Sequence, residues 1–222
     1  MSSLPAWRSP RAWGTMVIVF AVALSADLWS KSWAFRNVAG KPVVLVYEEA
    51  RNPDFRPPYH NPMQVVPGDL LDFSLVVNHG AVFGIGQNRR SVFVAFTLIA
   101  VAVAVWIFGW WTRAGSWAAH LGIGLVLAGG IGNLHDRLVY GAVRDFLHMF
   151  PRWNLPFGWR WPGGGSTELF PWVFNLADVE LLLGMGVLLL ASQRHRPVGS
   201  GNAEQGHHGE GVSGGASGGS PQ

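Results

Sequence analysis

Residues Trp117–Phe146 read WAAHLGIGLVLAGGIGNLHDRLVYGAVRDF. As far as Leu138 the stretch meets the roughly 20 mostly apolar residues that a membrane-spanning helix needs. Gly122, Gly124, Gly129, Gly130 and Gly132 punctuate it. In lipid, small residues let helix backbones approach closely, so this segment is expected to pack against other helices. The same glycines also leave room for a substrate against the backbone. Polar residues then accumulate at one end: Asn133, Asp136 and Arg137, followed by Asp145 beyond Gly141.

Three further stretches have comparable length and apolarity. They run from about Trp13 to Phe35, interrupted late by Asp27 and Lys31, from about Val92 to Trp111, and from about Phe170 to Ala191. The chain is 49% hydrophobic and 13% charged, about half the charged fraction of a soluble domain. Its 12 tryptophans and 13 phenylalanines suit aromatic belts at lipid–water interfaces. These features predict a mainly α, integral membrane protein, a bundle of four transmembrane helices. No short apolar core followed by a small-residue cleavage site is present, so the first segment reads as a retained anchor.

Between the first and second spans, residues 36–90 are rich in proline. Val43–Tyr47 is a β-branched run, and Leu71, Phe73, Leu75 and Val77 alternate with their neighbours in the period of a half-buried strand. A small β-sheet lying on the membrane surface is expected here, with ARNPDFRPPYHNP (Ala50–Pro62) as an irregular loop. The Trp-, Pro- and Gly-rich segment from His148 to Pro171 cannot form a continuous helix. It reads as an interfacial loop or helix before the fourth span, and its place between Asp145 and Asp178 makes it a candidate lid, testable by shortening Gly163–Gly165. Residues 1–12 form a short N-terminus and 13–192 the membrane domain. Residues 193–222, glycine- and serine-rich with His207 and His208, read as a disordered tail.

The net charge of +3 is scattered and forms no nucleic-acid stripe. Cysteine is absent, which excludes disulfides, thiolate metal sites and a cysteine nucleophile. Arginines decide the topology only in part. With both termini inside, Arg8, Arg11, Arg113, Arg194 and Arg196 hug the inner helix ends, but Arg36, Arg89 and Arg90 speak against that orientation.

The intramembrane polar residues carry the functional information. An ionised carboxylate within a span costs roughly 2.5–3.5 kcal/mol on insertion scales, so such residues mark function by default. Asp27 and Lys31 lie four apart and share a helix face, either as a snorkelling ion pair or as a brace for a site. Asn78–Gly84, NHGAVFG, follows the predicted strand, and Asn78 is placed to donate to a substrate carbonyl. Asp136, next to Arg137, is placed to orient that guanidinium. Asn175 and Asp178 share a face of the fourth span, from which Glu180 is turned by about 200°. Two carboxylates about 3 Å apart share one proton, and such a pair hydrolyses a peptide with water alone. Spacing alone leaves unpaired interfacial carboxylates as the plainer reading of Asp145 and Asp178.

The motifs go further than the spacing. Asp27–Lys31 (DLWSK), Asn78–Gly84 (NHGAVFG), Gly129–Phe146 (GGIGNLHDRLVYGAVRDF) and Phe174–Asp178 (FNLAD) occur in the order found in lipoprotein signal peptidase (signal peptidase II), the aspartic membrane peptidase family of bacteria. Over residues 13–192 the chain resembles that family. The resemblance implies cleavage of prolipoprotein signal peptides just before a cysteine that carries diacylglycerol. It implies Asp145 and Asp178 as the catalytic dyad. It places Asp27, Lys31, Asn78, Gly80, Asn133, Asp136, Arg137, Asn175 and Ala177 at positions that line or brace the site, with no metal and no cofactor. It also implies an inner-membrane location, both termini cytoplasmic, and the sheet and the active site at the outer face. Its partners would be prolipoproteins and membrane lipids, not nucleic acid, and a monomer is expected. His135, Glu180, the loop between the two aspartates and the proline-rich insertion at Arg51–Pro62 depart from the family pattern.

Two other classes compete. Asp136, Arg137, Gly141 and Asp145 superficially resemble the acidic motif of metal-dependent phospholipid head-group transferases, but no third aspartate falls into register around a cation. Intramembrane acids also serve small transporters, although four dissimilar spans show no repeat.

Overall fold

A computed structural model describes residues 4–80, 90–162 and 165–193. The NHGAVFG residues from Ala81 onward, Gly163 and Gly164 of the candidate lid, and the tail after Gln193 lie outside the described residues.

The chain is mostly helical. The elements in order are α1 (Pro10–Asn37), α2 (Tyr47–Ala50), β1 (Met63–Val66), β2 (Leu71–Asn78), α3 (Arg90–Trp106), α4 (Trp117–Val139), β3 (Val143–Met149), β4 (Val173–Phe174) and α5 (Leu176–Gln193). Helix α3 continues as a π-helical turn, Ile107–Trp111. Among the described residues, four helices are long and apolar enough to cross a membrane: α1, α3 with its extension, α4 and α5. Helix α1 starts where Pro10 takes the first turn and the Ser9 side chain accepts the Ala12 N–H, satisfying one of the orphan donors of a helix start.

The last span begins at Leu176, later than the Phe170 expected from hydropathy. Val173–Phe174 pairs with Leu147 and His148 as an edge strand, so these residues are extended, and Asn175 caps the helix only after them. The sheet is antiparallel in the order β1-β2-β3-β4. The alternating run Leu71–Asn78 is indeed a strand, with a bulge between Phe73 and Val76. The run at Val43–Tyr47 joins no ladder. It passes as extended connector into α2, and Val43 and Leu45 pack on the apolar cluster under the sheet.

Helix α4 is buried along most of its length, the other spans along only a small part. Bulky apolar side chains such as Ile18, Val22, Phe96, Ile99, Leu183 and Leu190 face outward, as lipid contact requires. Its glycines are the contact points. A Cβ at Gly129 would fall on the Ala177 carbonyl, one at Gly132 on the Asp27 carboxylate, and one at Gly124 2.9 Å from the Met16 carbonyl. Close helix packing therefore accounts for these glycines. Gly130 differs, since its Cβ would meet only Thr97 and Val101 methyls at 3.8 and 3.9 Å. We expect Gly132→Ala to lower stability by about 1–3 kcal/mol, the range for overpacking a core. Gly130→Ala should be neutral or stabilising by up to about 1 kcal/mol through helix propensity. Thermal melts in detergent check both, and equal behaviour of the two variants would contradict the packing described.

Two apolar clusters hold the molecule. One joins Ala12, Met16, Phe108, Ile123 and Leu127 near the start of α1. The other joins Ala34, Phe35, Leu75, Val77 and Phe146 beneath the sheet. Along α1 the buried Asp27 and Lys31 fall between them, so a polar layer separates the two apolar ones.

Candidate active site

Asp145 sits in β3 and is almost fully buried. Its cross-strand partner is Val76, two residues before Asn78, so the end of β2 brings the Asn78 amide onto the carboxylate. Asn78 Nδ2 donates to Asp145 Oδ2 at 2.9 Å, and Asn175 Nδ2 donates to Oδ1 at 2.5 Å. Burial raises the Asp145 carboxyl well above the usual carboxylate range, and the Asp178 charge adds to the shift. The two asparagine amides and Lys31 oppose it.

Asp178 arrives from α5 through a reciprocal cap. Asn175 precedes the helix, and its Oδ1 accepts the Asp178 N–H at 3.2 Å. The Asp178 carboxylate returns to the Asn175 N–H at 3.1 Å. This is a capping box with aspartate at its third helical position. Asn133 Nδ2 occupies the other oxygen of Asp178 at 2.9 Å. Asn175 thus contacts both acids, and its Nδ2 also reaches Asn133 Oδ1 at 3.1 Å. All four carboxylate oxygens of the pair accept from amide N–H groups.

Behind the asparagines stands a charged support. Lys31 is fully buried and donates to Asp27 Oδ2 at 2.9 Å and to Asn133 Oδ1 at 3.0 Å. The other oxygen of Asp27 accepts the Ala177 N–H at 3.0 Å, which gives a free donor of the α5 N-terminus a partner from α1. The Asp27–Lys31 pair is therefore an internal brace and does not snorkel.

Arg137 donates to the Asn133 carbonyl at 3.1 Å and to the Gly80 carbonyl at 3.0 Å, over the Phe93 ring. It lies within electrostatic range of both Asp145 and Asp178. Asp136 does not orient it, contrary to the expectation from their adjacency. Neighbouring residues on a helix diverge by about 100°, and Asp136 turns to Arg144. Arg144 donates its Nη2 to Asp136 Oδ1 at 2.8 Å, and its Nε and backbone N to Oδ2 at 3.1 and 3.0 Å. Arg144 was not recognised from sequence, and its only signal there was direct adjacency to Asp145. Glu180 is buried, its Oε2 has no hydrogen-bond partner among the described residues, and it lies within electrostatic range of Asp27 and Lys31, not on the face of Asp178.

The sequence-predicted residues thus converge. Asp27, Lys31, Asn78, Gly80, Asn133, Arg137, Asn175 and Ala177 belong to one hydrogen-bonded network around Asp145 and Asp178, and Asp136 joins it through its ion pair with Lys31 at 3.7 Å.

The family profile described as Signal peptidase (SPase) II matches residues 19–194. The chain belongs to the signal peptidase II family. That makes it a membrane hydrolase of the peptidase class. Among its relatives, the lipoprotein signal peptidase of Dichelobacter nodosus is 29% identical over 83% of this chain and 98% of its own length. That of Syntrophotalea carbinolica is 38% identical over 61% of this chain and 75% of its own. Two solved structures described as bacterial membrane enzymes, determined by the in meso method, share the fold. One has a TM-score of 0.59 at 23% identity and covers 82% of this chain and 88% of that chain. The other has 0.57 at 22%, covering 82% and 95%.

Proposed function

We propose that the chain is an aspartic endopeptidase of the bacterial cytoplasmic membrane. It removes the signal peptide of diacylglyceryl-modified prolipoproteins by cutting before the lipidated cysteine. Asp145 and Asp178 are its dyad. The observation that carries this reading is the Asn175 bridge, which holds one acid from a strand and one from a helix start in a single network. The relatives named lipoprotein signal peptidase support the substrate class.

In this reading the pair shares one proton. The ionised carboxylate takes a proton from water, whose oxygen attacks the scissile carbonyl carbon. The protonated carboxyl donates to the carbonyl oxygen as the tetrahedral intermediate forms. Collapse breaks the C–N bond, the amine of the cysteine leaves with the proton taken from water, and a hydroxyl proton of the intermediate returns to the carboxylate that had donated, so the pair again shares one proton. Arg137 stabilises the negative charge of the pair electrostatically. Asn78, Asn133 and Asn175 fix the carboxylate rotamers, and Asp27, Lys31 and Asp136 fix the asparagines and β3. Amide donors on every oxygen suit carboxylates that exchange protons better than carboxylates that gather a cation. Both termini are cytoplasmic and the sheet lies at the outer face, where a lipidated precursor presents its cysteine. Membrane lipids surround a monomeric bundle.

The test uses purified full-length protein with a diacylglyceryl-modified precursor, and the unmodified precursor as control. Mass spectrometry should find one cut, before the lipidated cysteine, at the same rate with and without EDTA. Loss of cleavage on chelation would replace the aspartic mechanism by a metal-dependent one, and efficient cleavage of the unmodified precursor would remove the lipid requirement.

A further inference from the structure

A cleft of about 500 Å³ opens beside Asp145. It is lined by the proline-rich insertion between Pro53 and His60, by Leu75–Asn78 of β2, and by Pro171–Val173 ahead of α5. Three features make it a preformed site for a peptide. Its proline walls hold φ near −65° before anything binds, so little ordering is needed on binding. The insertion is tied down at two points. His60 Nε2 accepts the Leu75 N–H at 2.9 Å while Nδ1 lies 2.9 Å from the Pro58 carbonyl, which places the ring proton on Nδ1. His79, in the same turn as Asn78, lies with Nε2 2.6 Å from the Ala50 carbonyl and so donates to the base of the insertion. The third feature is charge. Among the described residues lining the cleft, Asp145 is the one acid and Arg56 the one permanent cation. Both hydrogen bonds of Arg56 use Nη1, at 2.6 Å to the Pro53 carbonyl and 2.8 Å to the Phe55 carbonyl, which leaves Nη2 and Nε for another group.

The occupant follows from position. A signal peptide is an apolar segment and belongs with the helices and lipid. The cleft belongs to the sheet and the insertion. A chain whose scissile bond lies at Asp145 therefore runs into the cleft with the residues that follow the bond. We propose that this cleft receives the first residues of the mature polypeptide after the lipidated cysteine, and that Arg56 makes it select acidic over basic side chains there. The inference rests on the peptidase reading above. Arg56 is exposed, so its pairing is worth what a surface pair is worth, about fivefold in relative affinity, and falls with salt.

The experiment compares three lipidated precursors that differ only at the second and third residues after the cysteine: Asp-Glu, Ser-Ser or Lys-Lys. Wild type should cleave the acidic precursor with a kcat/KM about fivefold above the basic one, mostly through KM, and the difference should shrink in 0.5 M salt by the logic of screening, to about twofold or less. Arg56→Lys should keep the preference, Arg56→Gln abolish it and Arg56→Glu invert it, all with unchanged turnover of the Ser-Ser precursor. A preference that persists in Arg56→Gln and Arg56→Glu would overturn the role of Arg56. Equal loss of Ser-Ser cleavage in all three variants, Lys included, would also overturn it, because it would assign Arg56 to loop architecture. Failure of wild type to cleave any of the three would instead count against the peptidase reading itself.

Discussion

Asp145→Asn and Asp178→Asn should each lower cleavage of a lipidated precursor by at least about 10³-fold while the protein still inserts and folds. The size follows from what each carboxyl does. General acid–base catalysis contributes about 10²–10⁴-fold per group, and members of a catalytic unit are not additive, so either loss removes most of what the pair supplies. Folding survives because the volume is unchanged. An Asn at 145 meets two donors, Asn78 Nδ2 and Asn175 Nδ2, and its own amide satisfies only one of them through oxygen. That mismatch costs about 1–3 kcal/mol. Against it, the variant removes a carboxylate whose ionisation burial opposes. The sign of the pH effect follows. The Asp145 carboxyl is raised in the folded protein, so its contribution to stability is full below its unfolded value of about 4 and is lost as pH rises through the raised folded value. Wild type should therefore lose thermal stability with rising pH across that window, and Asp145→Asn should lose less. Activity should fall on the same alkaline limb as the shared proton leaves. Turnover of folded Asp145→Asn within tenfold of wild type would refute the dyad.

Much of this arrangement was legible in the chain, because it rests on local period. Asp27 and Lys31 share a face at four residues, and Asn175 and Asp178 at three, so one helix turn places each pair without knowledge of the fold. The glycines of α4 announced a central helix because only close backbones need them. What stayed hidden depends on pairing between distant segments. Strand β3 carries Asp145, but Val143, Arg144, Asp145 and Phe146 are all buried, so no alternation betrays a strand. The site and the sheet core claim opposite faces, and the pattern cancels. The run Val43–Val46 has strand composition but joins no ladder, and its Val43 and Leu45 pack on the apolar cluster under the sheet instead. The roles of Asp136 and Arg144 escaped for the same reason. Gly141, at a φ of +82°, reverses the chain between them, and linear adjacency pointed to Arg137 instead.

That pair yields the second large effect. Asp136→Asn should destabilise the protein by about 3–5 kcal/mol, the cost of leaving one buried ion without its partner. Asp136 is fully buried, Arg144 nearly so, and three donors of Arg144 converge on the two carboxylate oxygens. Lys31 lies 3.7 Å from Asp136 and keeps Asp27 at 2.9 Å, so the charge stranded by the substitution is that of Arg144. Arg144→Lys should not rescue, since a single ammonium cannot reproduce the two-pronged contact. The double variant Asp136→Asn with Arg144→Met should be more stable than the sum of its parts predicts, because no charge is left stranded. Activity separates this brace from the dyad. Arg144 directly precedes Asp145 on β3, so its loss loosens the approach of Asp145 to Asn175 without removing a proton-transfer group. Folded Asp136→Asn, assayed at low temperature, should therefore retain measurable turnover, reduced by about 10²-fold at most, as a misplacement near 1 Å costs. Melting temperature in detergent and turnover per folded molecule decide the matter together. An unchanged melting temperature would deny the buried pair its structural role, and a folded but wholly inactive Asp136→Asn would move Asp136 from support into the chemistry.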